Sequence, residues 1–262
     1  RADVEDRRRH EQHALGVRQQ TGAFPPGYTL EQQRADLPAR FTAWSLGTTG
    51  PCISYSTACA SSASALVSAR ALILSGQCDA AVAGGADIVS DAVALGFGAL
   101  EAVSGEPCNP FSANRNGISL GEAAALFLVT RDDLTGSGIV LAGAGESADA
   151  HHMTAPDPEG TGALLAMERA LENAGLAPHD IDYLNLHGTG TRLNDAMESR
   201  AVSKLFPREL PASSTKGITG HTLGAAGALE AGICWLALSG ANPERLLPVH
   251  RWDGTADPDL PP

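Results

Sequence analysis

The stretch that decides the fold reads Ile53-Ser54-Tyr55-Ser56-Thr57-Ala58-Cys59-Ala60-Ser61-Ser62-Ala63-Ser64-Ala65-Leu66. Ile53, Tyr55 and Thr57 alternate with smaller residues, which predicts a β-strand. From Cys59 the chain continues in Ala, Ser and Leu without glycine or proline as far as Gly76, which predicts a helix that a glycine ends. Cys59 therefore lies where a strand turns into a helix, and the unpaired N–H groups there favour its thiolate. The alternative interpretation is a buried structural cysteine.

Composition limits the classes of protein that the chain can represent. The 262 residues, 43% of them hydrophobic, suffice for one large domain or two coupled halves. A net charge of −12 argues against nucleic-acid binding, and no apolar run is long enough to span a membrane. The cysteines show no C-x-x-C spacing, so we expect no metal site, no disulfides and a reducing cytoplasm. These cysteines are Cys52, Cys59, Cys78, Cys108 and Cys234.

The rest of the chain alternates predicted strands and helices in two similar halves. Polar residues 1–40 predict a solvated helix or loop. The predicted strands are residues 79–83 (closed by Gly84 and Gly85), 122–130, 139–144, 181–186 and 210–215. Residues 160–174 predict an amphipathic helix ended by Gly175, Asn194 is a candidate cap of the next helix, and His221 opens a helix like the one after Cys59. This order predicts a parallel or mixed sheet covered on both faces, with an internal duplication.

Three predicted strand ends carry reactive side chains. They are Cys59, His187, and the pair Lys216 and His221. Sites in open α/β sheets gather where strands lead into helices, and a cysteine with nearby histidines is a nucleophile arrangement. A single histidine after a strand is more often a hydrogen-bonded structural residue than a catalyst, but three reactive junctions in one chain shift that balance.

Three ordered motifs carry a resemblance to a known family. Residues 57–62 (TACASS), 186–191 (LHGTGT) and 214–227 (STKGITGHTLGAAG) together resemble the β-ketoacyl-[acyl-carrier-protein] synthases, the condensing enzymes of fatty acid and polyketide synthesis. Segments 110–122 and 149–154 are also similar to that family. The resemblance implies an α/β, thiolase-like five-layer α-β-α-β-α sandwich of two related halves. Residues 1–133 would carry the nucleophile, and residues 138–262 both histidines.

The resemblance also implies a role for each motif residue. Cys59 would accept an acyl chain as a thioester, and His187 and His221 would stabilise the enolate formed from malonyl carrier protein. Lys216, paired with Glu230, would orient His221. Thr189 and Thr191 match positions that bind the pantetheine arm, and Thr154 would line the same channel.

The family further implies partners and a location. Acyl carrier protein would deliver the substrates on its phosphopantetheine arm, with no other cofactor and no metal. Arg18, Arg34 and Arg40 are candidates for its docking patch, with ordinary solvated arginines as the alternative. A cytoplasmic homodimer, or a heterodimer with another ketosynthase-like subunit, is expected, with no membrane or nucleic-acid partner.

Departures from the family pattern leave other hypotheses open. Arg192 and Asn194 replace a usual proline and glycine, and residues 186–199 look similar to ketosynthases of aryl polyene pathways. The family's strands before the cysteine segment and its closing Gly-Phe-Gly-Gly loop are absent from the sequence, so an incomplete fold is expected. A catalytically impaired fragment, a non-catalytic partner of chain-length-factor type and a thiolase remain alternatives. Cys59 counts against the second of these. Cys234, which would lie inside a helix, counts against the third.

Overall fold

The computed structural model describes residues 18, 21–24, 26–29, 31, 34–134, 136 and 138–261. The predicted solvated segment 1–40 therefore lies largely outside the described residues. The α-helices are α1 (Leu37–Leu46), α2 (Ser61–Leu74), α3 (Asp91–Ala99), α4 (Thr161–Ala174), α5 (Arg192–Leu205), α6 (Lys216–Thr219) and α7 (Ala226–Leu238). The strands are β1 (Ala80–Asp87), β2 (Ala123–Thr130), β3 (Leu184–Asn185) and β4 (Ala212–Ser213). No helix among the described residues is both long and apolar enough to cross a bilayer.

Local sequence explains where several helices begin and end. Gly175 takes a left-handed conformation that ends α4, and Gly47 does the same for α1, as expected for C-terminal glycines. The Ser90 hydroxyl caps α3 by accepting the N–H of Val93. Helix α5 starts earlier than the sequence predicts, because Thr191 has the extended backbone of a cap and Asn194 already lies in the first turn.

Strands β1 and β2 form an antiparallel pair in which Ala80 lies opposite Thr130 and Asp87 opposite Ala123. Strand β1 does not end at Gly84 and Gly85, as the sequence predicts, but runs through both. A side chain at Gly84 would lie 2.1 Å from the Ala125 oxygen, and one at Gly85 would lie 2.7 Å from Ser62 Cβ. Gly84 therefore lets the two strands approach closely, and Gly85 lets the strand approach helix α2, so neither glycine forms a turn.

The second pair of strands is short and parallel. Leu184 and Asn185 of β3 pair with Ala212 and Ser213 of β4, so only the centres of predicted strands 181–186 and 210–215 form. Both strands lead directly into the loops that hold His187 and Lys216. The described residues therefore form two separate two-stranded sheets, one antiparallel and one parallel, rather than the single parallel or mixed sheet expected.

Two predicted strands do not form hydrogen-bonded ladders among the described residues. Residues 53–57 pair with no neighbouring strand there, although their alternation suits one. In residues 139–144, side chains replace a strand partner. Arg70 donates to the carbonyls of Leu141 and Ala142, and Asn173 accepts the N–H of Ala144. Alternation therefore misled the first prediction, and both fail because a ladder also needs an adjacent strand.

The duplication suspected from sequence has a structural counterpart, but its register differs. Ala58 and Leu223 both have a φ of 50°, and each begins a short 3-10 turn that leads into a helix, α2 or α7. Gly224, rather than His221, therefore occupies the position equivalent to Cys59. His221 precedes the turn, so the prediction that it opens the helix is wrong.

Helices α2 and α7 pack against each other and against one face of the β1–β2 sheet. The buried cluster there contains Leu66, Ala69, Ala83 and Ala228. The Ser62 hydroxyl accepts the N–H of Ala228 at 2.9 Å, which ties the start of one helix to the other. This close packing fixes the N-terminal end of α2, and Cys59 lies in the 3-10 turn directly before it.

Candidate active site

The fold brings together the three reactive junctions predicted from sequence. The sulfur of Cys59 and one ring nitrogen each from His187 and His221 lie within 4.8 Å of one another. His221 Nε2 is 3.0 Å from Cys59 Sγ. The two imidazoles meet edge to face, with ring centroids 5.2 Å apart. Residues more than 120 positions apart in sequence thus share one small site.

Backbone contacts fix the orientation of His221. The residue is buried, and the backbone N–H of His221 donates to the Ser119 carbonyl at 2.6 Å. The N–H of Leu223 donates to His221 Nδ1 at 3.3 Å. Because Nδ1 accepts this hydrogen bond, the neutral ring carries its own hydrogen on Nε2, which faces the sulfur.

His187 has the same tautomer for a different reason. The Lys216 ammonium lies 3.4 Å from His187 Nδ1 and can only donate to it, so the hydrogen of the neutral ring is on Nε2. The expectation that Lys216 orients His221 is thus not met, because β4 and α6 direct Lys216 towards the end of β3. Both rings nevertheless offer an Nε2–H donor.

Lys216 forms the ion pair with Glu230 that the sequence predicts. The lysine is only 1% exposed, so its charge is removed from water. Its carbonyl oxygen also accepts the thiol hydrogen of Cys108 at 3.0 Å. A buried cation needs an opposite charge beside it, and the Glu230 carboxylate on α7 supplies that charge.

Burial governs the protonation of the site. It raises the pKa of Cys59, which the Lys216 charge opposes, so burial outweighs the nearby cation. It lowers the pKa of His221 to about 4, and it lowers the pKa of His187 well below the usual range. Lys216 adds to both effects. Both imidazoles are therefore neutral at pH 7.

The predicted pantetheine-binding residues divide into two groups. Thr189 is buried, and its hydroxyl lies 3.0 Å from that of Thr191, in the loop that follows His187. Thr154 is exposed, and its hydroxyl lies 3.4 Å from His152 Nδ1. The recorded hydrogen bonds of the described residues do not connect Thr154 to the trio.

The arginines predicted for docking have local partners. Arg34 and Arg40 both form ion pairs with Asp36, at 2.8 and 2.7 Å. Arg18 lies over the Phe24 ring, 4.5 Å from its centroid. Asp36 neutralises part of the positive charge that a docking patch would need.

Sequence reasoning assigned no role to three acidic residues that support the site. The Glu198 carboxylate accepts the N–H groups of His187 and Gly188, at 2.6 and 2.7 Å. Asp195 accepts the N–H groups of Phe111 and Gly190, and Asp87 accepts that of Gly224. An acidic residue one or two turns into the helix after the His187 loop is the signal that could have identified the first two. Asp87 gives no comparable local signal.

Comparison with known families accounts for both halves of the chain. The sequence pattern of "Beta-ketoacyl synthase, N-terminal domain" matches residues 7–134. That of "Beta-ketoacyl synthase, C-terminal domain" matches residues 139–246. A mitochondrial 3-oxoacyl-[acyl-carrier-protein] synthase of Arabidopsis thaliana is 40% identical over 210 residues, which are 73% of this chain and 46% of that protein. The chain spans about half the length of the curated relatives it matches.

Solved structures give the same result at the level of the fold. The ketosynthase ApeO of Xenorhabdus doucetiae, solved in complex with its chain length factor ApeC, matches with a TM-score of 0.88 and 45% identity. The match covers 98% of this chain and 63% of that one. A complex described as AntDE:AntF, a type II polyketide acyl-carrier protein with its ketosynthase, matches with a TM-score of 0.85 and 25% identity, over 97% of this chain and 66% of that one. The chain has the thiolase-like fold of these proteins and belongs to the β-ketoacyl synthase family.

Proposed function

We propose that this protein catalyses the decarboxylative condensation of an acyl thioester with malonyl carrier protein. In the first step the Cys59 sulfur attacks the acyl thioester carbonyl, the bond to the pantetheine sulfur breaks, and the carrier thiol leaves with the proton. Malonyl carrier protein then loses carbon dioxide, and the electron pair of that C–C bond forms an enolate. The enolate attacks the acyl-Cys59 carbonyl, a new C–C bond forms, and the Cys59 sulfur leaves.

The observation that carries this proposal is the pair of neutral imidazoles beside the sulfur. Each ring has its Nδ1 occupied by a donor, from Leu223 or Lys216, and therefore carries its hydrogen on Nε2. Two such donors can stabilise the negative oxygen of the enolate, which is the electrostatic help that decarboxylation requires. In this assignment Lys216 and Glu230 position His187, and Thr189 and Thr191 bind the pantetheine arm. Thr154 has the weakest support for that role.

Partners follow from the same proposal. An acyl carrier protein would supply both substrates, and no cofactor beyond its phosphopantetheine is invoked. The ApeO–ApeC and AntDE:AntF assemblies support a ketosynthase-like second subunit and a carrier-protein complex. The proposal includes a cytoplasmic location, a division into halves 1–133 and 138–262, and a pathway of fatty acid or polyketide synthesis, the aryl polyene type in particular.

Acyl loading tests the first step. The protein is incubated with acyl carrier protein bearing a radiolabelled acyl chain, and label on the protein is measured after denaturation. We expect loading on Cys59, its loss in Cys59→Ala and its retention in Cys234→Ala. Cys234 is a suitable control because it is also a partly buried thiol whose pKa burial raises, but it lies outside the trio.

The second step is tested with His221→Ala. Removing one oxyanion donor should slow malonyl decarboxylation about 10²–10³-fold while acyl loading continues. Loading that survives in Cys59→Ala would refute the nucleophile assignment, and equal loss of both steps in His221→Ala would refute the division of roles. Intact folding without any loading would favour a non-catalytic partner of chain-length-factor type or an impaired fragment.

A further inference from the structure

The trio at the site has the composition of a zinc centre. Cys59, His187 and His221 contribute one sulfur and two nitrogens, all within 4.8 Å of one another. Tetrahedral Zn²⁺ with bonds of about 2.3 Å to sulfur and 2.0–2.1 Å to nitrogen needs ligand atoms about 3.3–3.6 Å apart. His221 Nε2 and Cys59 Sγ are already 3.0 Å apart. Side-chain shifts of about 1 Å would complete three ligand positions, which is the protein share of many catalytic zinc sites.

The groups behind the two imidazoles oppose this use. A histidine that binds metal through Nε2 carries its hydrogen on Nδ1 and needs an acceptor there. Here His221 Nδ1 faces the N–H of Leu223, and His187 Nδ1 faces the Lys216 ammonium. Metal binding would move each ring hydrogen from Nε2 to Nδ1 and release the Cys59 proton to solvent. Both Nδ1–H groups would then point at donors.

The positive charge of Lys216 also opposes the binding of a metal cation. The ammonium is 1% exposed, so water does not screen it from a cation bound to the adjacent His187 ring. Glu230 offsets part of that charge, but its carboxylate pairs with the ammonium rather than contacting the ring. We propose that Lys216 keeps the Cys59–His187–His221 trio from capturing Zn²⁺ or a similar thiophilic cation. The proposal does not rest on condensation activity.

Removal of Lys216 should expose the latent metal site. We compare Lys216→Met with wild type, measuring Zn²⁺ affinity by competition with a chromophoric chelator. Co²⁺ serves as a spectroscopic probe, because thiolate-to-cobalt charge transfer reports a cysteine ligand. Lys204→Met is the matched control: Lys204 and Lys216 are the two lysines of the sequence, and Lys204 forms a half-exposed ion pair with Glu159. We expect Zn²⁺ affinity to rise at least about tenfold in Lys216→Met and to be unchanged in Lys204→Met.

A second variant removes the unpaired Glu230 carboxylate, which would itself attract a cation and destabilise the fold once Lys216 is gone. Lys216→Met leaves Glu230 without its partner, whereas Lys216→Met/Glu230→Gln removes both charges and leaves His187 Nδ1 free of the ammonium. The gain in affinity should persist in this double variant. Adding Cys59→Ala to it should abolish both the gain and the charge-transfer band.

Three results would overturn the proposal. One is wild-type protein that binds Zn²⁺ through Cys59 as tightly as the double variant. Another is a folded double variant with no gain in affinity. The third is a gain that survives Cys59→Ala, because the metal would then lie elsewhere. None of these readouts uses acyl loading or decarboxylation, so failure here is distinguishable from failure of the proposed function.

Discussion

Among individual residues, Glu198 has the protonation most closely tied to the geometry of the site. Burial raises its pKa from the usual 4.5 to about 7, although the N–H groups of His187 and Gly188 lower it in part. Its two oxygens accept these N–H groups, so it holds the turn that presents His187. Burial therefore disfavours the charged form of Glu198, while its two hydrogen bonds hold the backbone at His187 and Gly188 in place.

This residue should give the protein a distinct pH dependence. A folded-state pKa above the unfolded value contributes stability that is fully present below pH 4.5 and is lost as pH rises through about 7. The contribution is about 1–3 kcal/mol, given 1.36 kcal/mol per pH unit and partial solvent screening. Urea unfolding of wild type and Glu198→Gln at pH 4.5, 6 and 8 measures the free energy of unfolding of each. Between pH 4.5 and 8 the wild type should lose stability relative to Glu198→Gln, because glutamine does not ionise.

Glu209→Gln is the control for that measurement, since Glu209 is an exposed glutamate just beyond α5. Its curve should run parallel to that of wild type. A constant difference between wild type and Glu198→Gln at all three pH values would contradict the raised pKa.

Among elements, the contact between α2 and α7 depends on small residues. A Cβ on Gly227 would lie 2.8 Å from Ala63 Cβ and 3.0 Å from the Ala63 backbone nitrogen. Gly232, further along α7, has room, with Phe127 Cζ 3.7 Å away as its nearest neighbour. Close packing against α2 therefore requires a glycine at position 227, whereas position 232 has space for a side chain.

Substitution by alanine should change the stability of the protein in opposite directions at the two positions. Gly232→Ala should raise the free energy of unfolding by about 0.5–1 kcal/mol, because alanine loses less backbone entropy in a helix. Gly227→Ala should lower it by about 1–3 kcal/mol, because the added methyl forces the helices apart. Denaturant titration measures both.

The same pair of variants also tests how α2 positions the nucleophile. The rate of iodoacetamide labelling at Cys59 should change in Gly227→Ala and remain as in wild type in Gly232→Ala. Equal stabilities for the two variants would show that the helices do not pack as closely as the structure indicates.

At the scale of the whole molecule, one face of the β1–β2 sheet is exposed in the part of the chain that the structure describes, so the expectation of a sheet covered on both faces is not met there. The inner face packs on α2 and α7, whereas Val82, Leu126 and Leu128 on the other face are 39%, 60% and 66% exposed. Val82 lies directly opposite Leu128 in the register, so these side chains form one apolar patch. Such patches bind apolar molecules or promote association.

The patch should bind an environment-sensitive apolar dye. We expect Leu126→Ser/Leu128→Ser to reduce dye fluorescence severalfold and to reduce concentration-dependent association measured by light scattering. Leu193→Ser is the control, because Leu193 on α5 is 62% exposed and lies outside the patch. Equal effects of the two changes would mean that dye and association respond to exposed leucines in general.

The sequence by itself determined which residues carry the chemistry and where one of the helices ends. It indicated Cys59 and both histidines as a group, the Lys216–Glu230 pair, the glycine that ends α4 and the family itself. The cysteine–histidine group and the glycine depend on residue type and position, which local rules capture, whereas the Lys216–Glu230 pair follows from the resemblance to the family. It also predicted strands at 53–57, from local alternation, and at 139–144, but neither segment pairs with a strand among the described residues.

Only the tertiary structure decided which groups face one another. It directed Lys216 to His187 rather than His221, and it made Gly224 the counterpart of Cys59. It ran β1 through two glycines because β2 lies against Gly84 and the start of α2 against Gly85. It also moved the cap of α5 from Asn194 to Thr191. Each of these outcomes depends on atoms distant in sequence or on the path of the backbone, and residue order alone does not encode those distances.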